Sequence, residues 1–459
     1  MTFPSYPAYK ESGVEWLGEV PSHWTLTPIK HLALLNPRKS DFAGDTEQLC
    51  SFVPMEKLKT GVVQLDEVRP IEEVIGGYTY FEDGDVLQAK VTPCFENKNI
   101  AIAKGLTNGI GFGSSEINVL RPYQGVNAEY LYYRVQEDSY MSFCTSSMIG
   151  AGGLKRVPTD VINNFKIAAP EQFEQTQIAR FLDHETARID ALIEEQQRLI
   201  ELLKEKRQAV ISHAVTKGLD PTVSMKDSGV EWLGEVPAHW DVKALRYLGE
   251  CQNGINIGGE AFGSGSPFVS YGDVHKNDVL PAEVTGLVQS SAEDRQRYSI
   301  DYGDVFFTRT SETVDEIGFS ATCLQKLQNA VFAGFLIRFR PSGNSLTPGF
   351  SKYYFRNQRL RIFFNKEMNL VTRASLSQDL LKQLPVTLPP VIEQIKISDF
   401  LDKVTAEFAS LLEQGLGSID LLIERRSALI SAAVTGKIDV RGWQPSASVP
   451  SPELELEAV

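Results

Sequence analysis

The chain reads as an α+β protein made by tandem duplication. Two mixed α/β modules alternate with two long antiparallel heptad helices related by a pseudo-two-fold axis. Three observations predict this. A thirteen-residue leader occurs twice: Ser12 to Trp24 is SGVEWLGEVPSHW and Ser228 to Trp240 is SGVEWLGEVPAHW. Beyond the leaders a second set of motifs recurs at an offset of 219: Gly84-Asp85-Val86 with Gly303-Asp304-Val305, Glu174-Gln175 with Glu393-Gln394, Phe181-Leu182-Asp183 with Phe400-Leu401-Asp402, and Val215-Thr216 with Val434-Thr435. The hydrophobic period then switches within each copy from strand-like to helical.

The elements follow in order: a leader (1–24), a first module (25–168), a central helix (169–219), a repeated leader (220–240), a second module (241–388), a distal helix (389–438) and a disordered tail (439–459). The leaders are nearly identical, whereas the roughly 60 residues after each share almost nothing. Drift alone would not spare the ends and scramble the middle, so the pattern implies one scaffold carrying two different surfaces. Within the modules, short β-branched and aromatic runs between Gly, Asn and Asp clusters predict a mixed sheet. They are Gly61–Leu65, Asp85–Ala89 and Ile117–Leu120, then Asp304–Thr308 and Phe335–Phe339. A short helix is expected over Asn127–Val135 and another over Pro348–Phe364.

From Leu182 the apolar period alternates by three and four. It passes Leu182, Ile189, Leu192, Leu199, Leu203 and Val210, and in the other copy Leu401, Phe408, Leu411, Leu422 and Leu429. These eleven residues are the expected helix–helix and partner-docking stripe. Gln196 and Gly415, and Lys206 and Arg425, interrupt it at matching places. Pro170 and Pro390 precede the helices, and Gly218 and Gly436 follow them, the usual asymmetry of helix ends. A helix from Glu171 to Lys217 would run about 70 Å and cannot bury its stripe alone, so the other copy is its natural partner. Gly415 and Gly417 predict a kink in the distal helix. The tail, with three prolines and three glutamates from Arg441 onward, reads as disordered.

Composition narrows the function. Of 459 residues 42% are apolar and 23% charged, which excludes a mostly disordered chain, collagen and a disulfide scaffold. No apolar run approaches the ~20 residues of a membrane-spanning helix, and Met1 to Lys10 has no apolar core for a secretory signal. Five scattered cysteines without a CxxC predict a reduced cytoplasmic setting and inert thiols. Catalytic signatures are missing: there is no GxxxxGK loop, Gly111-Phe112-Gly113 lacks the third glycine of GxGxxG, and no histidine spacing suits a metal. His23 and His239 sit in the repeated Pro-x-His-Trp and read as structural. Asp183-His184-Glu185 becomes Asp402-Lys403-Val404 in the second copy, which argues against a triad. Ser146 to Gly153 reads as a loop. Neither a metal nor a cofactor is expected on this chain.

The net charge of −14 argues against a nucleic-acid binder, yet charge averages over faces. Thr27 to Asp160 has a net of −4 and Asp241 to Val386 a net of +1. Lys90 and Arg309 follow the Gly-Asp-Val strands at the same offset. Lys155-Arg156 and Arg373 occupy corresponding loops before the long helices. Lys352, Arg356 and Arg359 are spaced i, i+4, i+7 on the expected helix. Contact with a nucleic-acid backbone or base edge, an intramolecular ion pair and a solvated helix face all fit these positions.

Two variable modules, each with Gly-Asp-Val and a trailing basic residue, thus alternate with helices. Those helices begin Glu174-Gln175…Phe181-Leu182-Asp183 and end Lys206-Arg207…Val215-Thr216-Lys217-Gly218, and both patterns recur in the distal copy. With the leader, this order resembles the specificity subunit of a type I restriction-modification enzyme over about residues 9 to 440. One departure is Ala169-Pro170-Glu171, where the family tends to have Pro-Pro before Glu-Gln; Leu388-Pro389-Pro390 keeps it. The resemblance implies that each module is a target-recognition domain reading one half of a bipartite, asymmetric double-stranded DNA site. It implies that the helices dock two methyltransferase subunits, with motor-nuclease subunits completing the complex. S-adenosylmethionine, ATP and Mg²⁺ then belong to those partners, and this chain is non-catalytic. The alternative is a coiled-coil scaffold whose β-rich modules bind protein or glycan.

Overall fold

The computed structural model describes residues 3–445 apart from 43, 312–316 and 368–373. It divides into two units, residues 1–196 with 417–459, and residues 197–416. Each unit is a leader, a module, the start of one long helix and the end of the other.

In the first unit the leader forms an antiparallel hairpin, Tyr9–Glu11 with Glu19–Pro21. Thr25–Pro28 then pairs with Lys166–Ala169, which closes the module onto its helix. Between them lie two four-stranded sheets. One has the order Ile100–Ile102, Val86–Ala89, Ile117–Pro122, Ala33–Leu35, and the other Val68–Pro70, Leu49–Val53, Ile110–Gly113, Thr79–Glu82. Ile110–Gly113 runs parallel to Leu49–Val53 and antiparallel to Thr79–Glu82, so the expected mixed sheet is present. The second unit repeats the plan. Its leader pairs Met225–Asp227 with Glu235–Pro237, Asp241–Ala244 pairs with Pro385–Leu388, and a four-stranded sheet runs Gly249–Asn253, Leu336–Pro341, Val305–Thr308, Ser320–Thr322.

The recurring motifs are the joints of this plan. In Gly-Asp-Val the glycine takes a left-handed turn, φ 93° at Gly84 and 90° at Gly303. The buried aspartate is held by a forked arginine: Arg121 donates to Asp85 at 2.9 and 2.8 Å, and Arg340 to Asp304 at 2.7 and 2.6 Å. The valine enters the core. Trp24 and Trp240, which end the leaders, are fully buried. Trp24 and His23 both bond Glu174, at 3.0 and 2.8 Å, and Trp240 and His239 both bond Glu393, at 3.0 and 2.9 Å. The structural reading of the two histidines is therefore the observed one. Gln175 accepts from Asn127 N, and Gln394 from Thr347 N. Asp183 accepts from the Tyr133 hydroxyl at 2.7 Å and Asp402 from Tyr353 at 2.6 Å, so Asp183-His184-Glu185 also serves the joint.

The long helices run Gln172–Lys217 and Val391–Val434, and the distal one is unbroken through Gly415 and Gly417, where a kink was expected. Their seam corrects the heptad phase. In the first unit it passes Leu182, Thr186, Ile189, Ile193 and Gln196, and Ile419, Leu422, Arg426, Ile430 and Ala433. In the second it passes Ile200, Leu203, Arg207, Ile211 and Ala214, and Leu401, Thr405, Phe408, Leu412 and Gly415. Leu182, Ile189, Leu203, Leu401, Phe408 and Leu422 lie on it, but Leu192, Leu199 and Leu411 are exposed. Val210 and Leu429 pack beside it, against the module cores. The polar interruptions are Arg207 and Arg426, one residue beyond Lys206 and Arg425; Arg426 bonds Asp190 at 2.8 Å.

Two further expectations change. The helix over Pro348–Phe364 is two helices, Pro348–Tyr354 and Leu360–Glu367. The chain beyond 438 stays packed through its first residues: Val440 is buried, Trp443 packs on Phe181 and His184, and Gln177 donates to the carbonyls of Val440 and Trp443. The rest of the expected tail, 446–459, lies outside the described residues.

Candidate nucleic-acid interface

In the first unit the strand Val86–Ala89 ends at Lys90, and the chain there is stitched to the loop before the central helix. Val157 N donates to Lys90 O at 3.0 Å, Thr92 N to Lys155 O at 3.0 Å, and Val91 bridges Arg156. The three basic residues singled out from the sequence of this module are thereby brought together. Their side chains differ in role. Arg156 makes a forked pair with Glu116 at 2.8 and 2.7 Å. That hydrogen bond holds the Glu116 carboxyl below the usual carboxylate range. Lys155 is exposed, and neither it nor Lys90 has a side-chain hydrogen bond or salt bridge among the described residues.

Lys90 lines a cleft of about 550 Å³ together with Asn36, Arg38, Lys39, Tyr78 and Tyr80. Lys39 is tethered to the Gly76 carbonyl at 2.6 Å, Tyr78 packs edge-on against Phe52, and no acidic side chain is among the described lining residues. Arg38, Lys39 and Tyr78 were not anticipated. The signal available was Asn36-Pro37-Arg38-Lys39-Ser40, two adjacent cations in a Pro-bounded loop before a strand. A cation-rich cleft with an aromatic wall suits phosphate and stacked rings.

The second unit builds the same corner from other residues. Arg309 N donates to Phe335 O at 3.0 Å, Leu376 N donates to Arg309 O at 2.7 Å, and Thr310–Ser311 pairs with Ala374–Ser375. Phe335 stands where the first unit has Glu116, and its ring is exposed. The Arg309 guanidinium has no partner among the described residues. Arg373 lies outside the described residues, adjoining this strand pair.

The i, i+4, i+7 cations do not share a helix face, because the helix breaks between them. Lys352 bonds Asp402 at 2.6 Å and lies over the Tyr353 ring, so it fastens the module to its helix. Arg356 pairs with Asp278 at 2.9 Å, donates to Ser320 and His275 carbonyls at 3.1 Å, and covers Phe319. Both are engaged within the fold. Arg359 is exposed, lining a groove with His213 and Lys217.

Among the described residues no group of His, Cys, Asp and Glu could hold a metal ion, and no helix is long and apolar enough to cross a membrane. Burial pushes the Cys144 thiol up to about 12 and those of Cys50, Cys251 and Cys323 up to about 11, which makes them poor nucleophiles.

Residues 238–418 match the family described as type I restriction modification DNA specificity domain. The chain is similar to the EcoEI specificity subunit of Escherichia coli, 38% identical over 163 residues, which is 35% of this chain and 27% of that protein. The EcoAI specificity subunit of the same species matches at 38% over 164 residues, again 27% of its length. The match to the EcoKI specificity subunit of strain K12 is longer and weaker, 26% over 337 residues, covering 71% of this chain and 68% of that one. Among solved structures, a chain from work on complex assembly and conformational transition of the type I R-M system superposes with a TM-score of 0.71 at 16% identity, covering 90% of this chain and 98% of that one. The HsdS subunit from Thermoanaerobacter tengcongensis gives a TM-score of 0.56 at 16% identity, covering 93% and 100%. The resemblance drawn from the repeated motifs is borne out, and the two-module α+β fold with it.

Proposed function

We propose that the chain is the DNA-specificity subunit of a type I restriction-modification complex. Each module reads one half of a bipartite, asymmetric site. The reading rests on one observation: both units build the same corner, a cation at the end of the Gly-Asp-Val strand stitched to the loop before the helix, and surround it with different side chains. A common corner with Lys90, Lys155 and Arg38 in one copy and Arg309 and Phe335 in the other suits two different base sequences on one backbone geometry. The family match falls on the second module and the start of its helix, which favours DNA reading over the scaffold alternative.

The long helices supply the docking surface. Leu192 and Leu421 in the first unit, and Leu199, Leu202 and Leu411 in the second, are large, apolar and exposed beside the buried seam of their own unit, and exposed apolar residues of this kind suit an interaction surface. Two methyltransferase subunits would cover it and carry S-adenosylmethionine. Motor-nuclease subunits would bring ATP and Mg²⁺. The chain itself would be non-catalytic and cytoplasmic. The test is to co-express it with its methyltransferase and map the methylated bases. Two short unlike half-sites separated by a fixed gap are expected. A contiguous motif, or modification of DNA by the purified chain alone, would overturn the proposal.

A further inference from the structure

We propose that the Ile149–Arg156 hairpin enters the major groove of the first module's half-site, where Ile149 and Leu154 read a thymine through its 5-methyl group. The inference rests on the DNA-reading function above and adds to it a contact surface and a base.

Ile149–Ala151 pairs antiparallel with Leu154–Arg156 across Gly152-Gly153, whose φ values of 63° and 82° make a two-residue turn matched to strand twist. All six strand residues are exposed. The register places Ile149 opposite Arg156 and Ala151 opposite Leu154, so Ile149, Ala151 and Leu154 share one face and Lys155 the other. Ile149 is 72% exposed and Leu154 48%, far more than a strand contributing to a core would leave uncovered. The ribbon is nevertheless held in place. Thr92 Oγ1 donates to Gly153 O at 2.7 Å, Lys155 N donates to Thr92 Oγ1 at 3.0 Å, and Arg156 grips Glu116 at its root.

Its surroundings decide the occupant. Lys155 lies on the ribbon itself, Lys90 is stitched to its base, and the cleft that Lys90 lines also holds Arg38 and Lys39. An apolar strip flanked by four cations complements a polyanion that displays a small apolar group. The major groove admits a two-stranded β-ribbon, and the thymine methyl is the apolar group it presents. In the second unit Thr310–Ser311 with Ala374–Ser375 matches the Val91–Arg156 contact at the root of this hairpin, and the positions matching Ile149 and Leu154 lie outside the described residues.

The experiment uses the full chain with its methyltransferase and a duplex carrying the mapped site, with each thymine replaced in turn by deoxyuridine. One position should lose about fourfold in affinity, the equivalent of one buried methyl group. Ile149→Ala with Leu154→Ala should bind the thymine and deoxyuridine duplexes alike. Lys155→Ala should instead weaken binding to every sequence and lower the salt slope by about one. A sequence-specific complex indifferent to deoxyuridine at every position would overturn this inference alone, as would a double variant that keeps the thymine preference. A wild-type complex with no sequence preference would overturn the DNA-reading function and this inference with it.

Discussion

The phase of the helical seam separates residues that hold the fold from residues offered to a partner, and adjacent positions 199 and 200 test it. Ile200 is 5% exposed and sits against Gly415, where an added Cβ would lie 3.1 Å from its Cγ1. Ile200→Ala removes three carbons beyond Cβ, about 2.4 kcal/mol at 0.8 per buried carbon. Gly415 has no side chain to move into the space, so a cavity contribution brings the loss to roughly 3 kcal/mol. Leu199 is 46% exposed, so Leu199→Ala gives up about half the transfer energy, opens no cavity and costs about 1 kcal/mol. Because a chain of two units need not unfold in one step, the suitable assay is native-state hydrogen exchange of the helix amides over 197–211. Exchange should quicken on the order of a hundredfold in Ile200→Ala and about fivefold in Leu199→Ala. Co-purification with methyltransferase should fail for Leu192→Asp with Leu199→Asp while the exchange pattern holds. Equal loss of protection at 199 and 200 would refute the seam phase.

Arg340→Ala should leave the buried Asp304 carboxylate unpaired and cost about 3–5 kcal/mol, read as loss of soluble second unit, whereas Arg156→Ala beside the more exposed Glu116 should leave the yield of soluble protein unchanged. Glu116 has a depressed folded pKa, so its pair with Arg156 contributes above the ordinary carboxylate range and is lost as pH falls through the folded value. The hairpin amides should therefore keep their protection through the ordinary carboxylate range and lose it only at more acid pH, and Glu116→Gln should abolish that transition in an NMR titration. A fragment of residues 1–221 lacks Ile430, Ala433 and Val434, which help to fill the first unit's core. It still carries Ile211, Ala214 and Val215 at the matching positions. Two copies should exchange these ends, sediment as a two-fold dimer and, with methyltransferase, mark an interrupted palindrome; a monomer at micromolar concentration would refute the exchange.

Much of the fold was legible because it is periodic or repeated. Both long helices begin and end within a few residues of the expected limits, since Pro before and Gly after act on the local backbone. The leader, Gly-Asp-Val, Glu-Gln and Phe-Leu-Asp recur because each supplies one half of a joint: Trp24 needs Glu174, and Asp85 needs Arg121. The stitched corner was half legible. Lys90 and Arg309 stood out by register, but Arg38 and Tyr78 approach Lys90 only when two loops remote in sequence line one cleft.

By itself, then, the sequence determined the duplication, the order of elements and the ends of the helices, because turns, helix stops and hydrophobic period are set by neighbouring residues. The tertiary structure decided which apolar stripe is buried and which cations are free. Leu192, Leu199 and Leu202 are as apolar as Ile193 and Ile200, so period alone cannot choose the face that meets the other helix. Lys352 and Arg356 differ from Lys155 in having Asp402 and Asp278 folded beside them. A charge is committed or available according to which distant carboxylate the chain brings within hydrogen-bond reach, and no local rule of sequence encodes that distance.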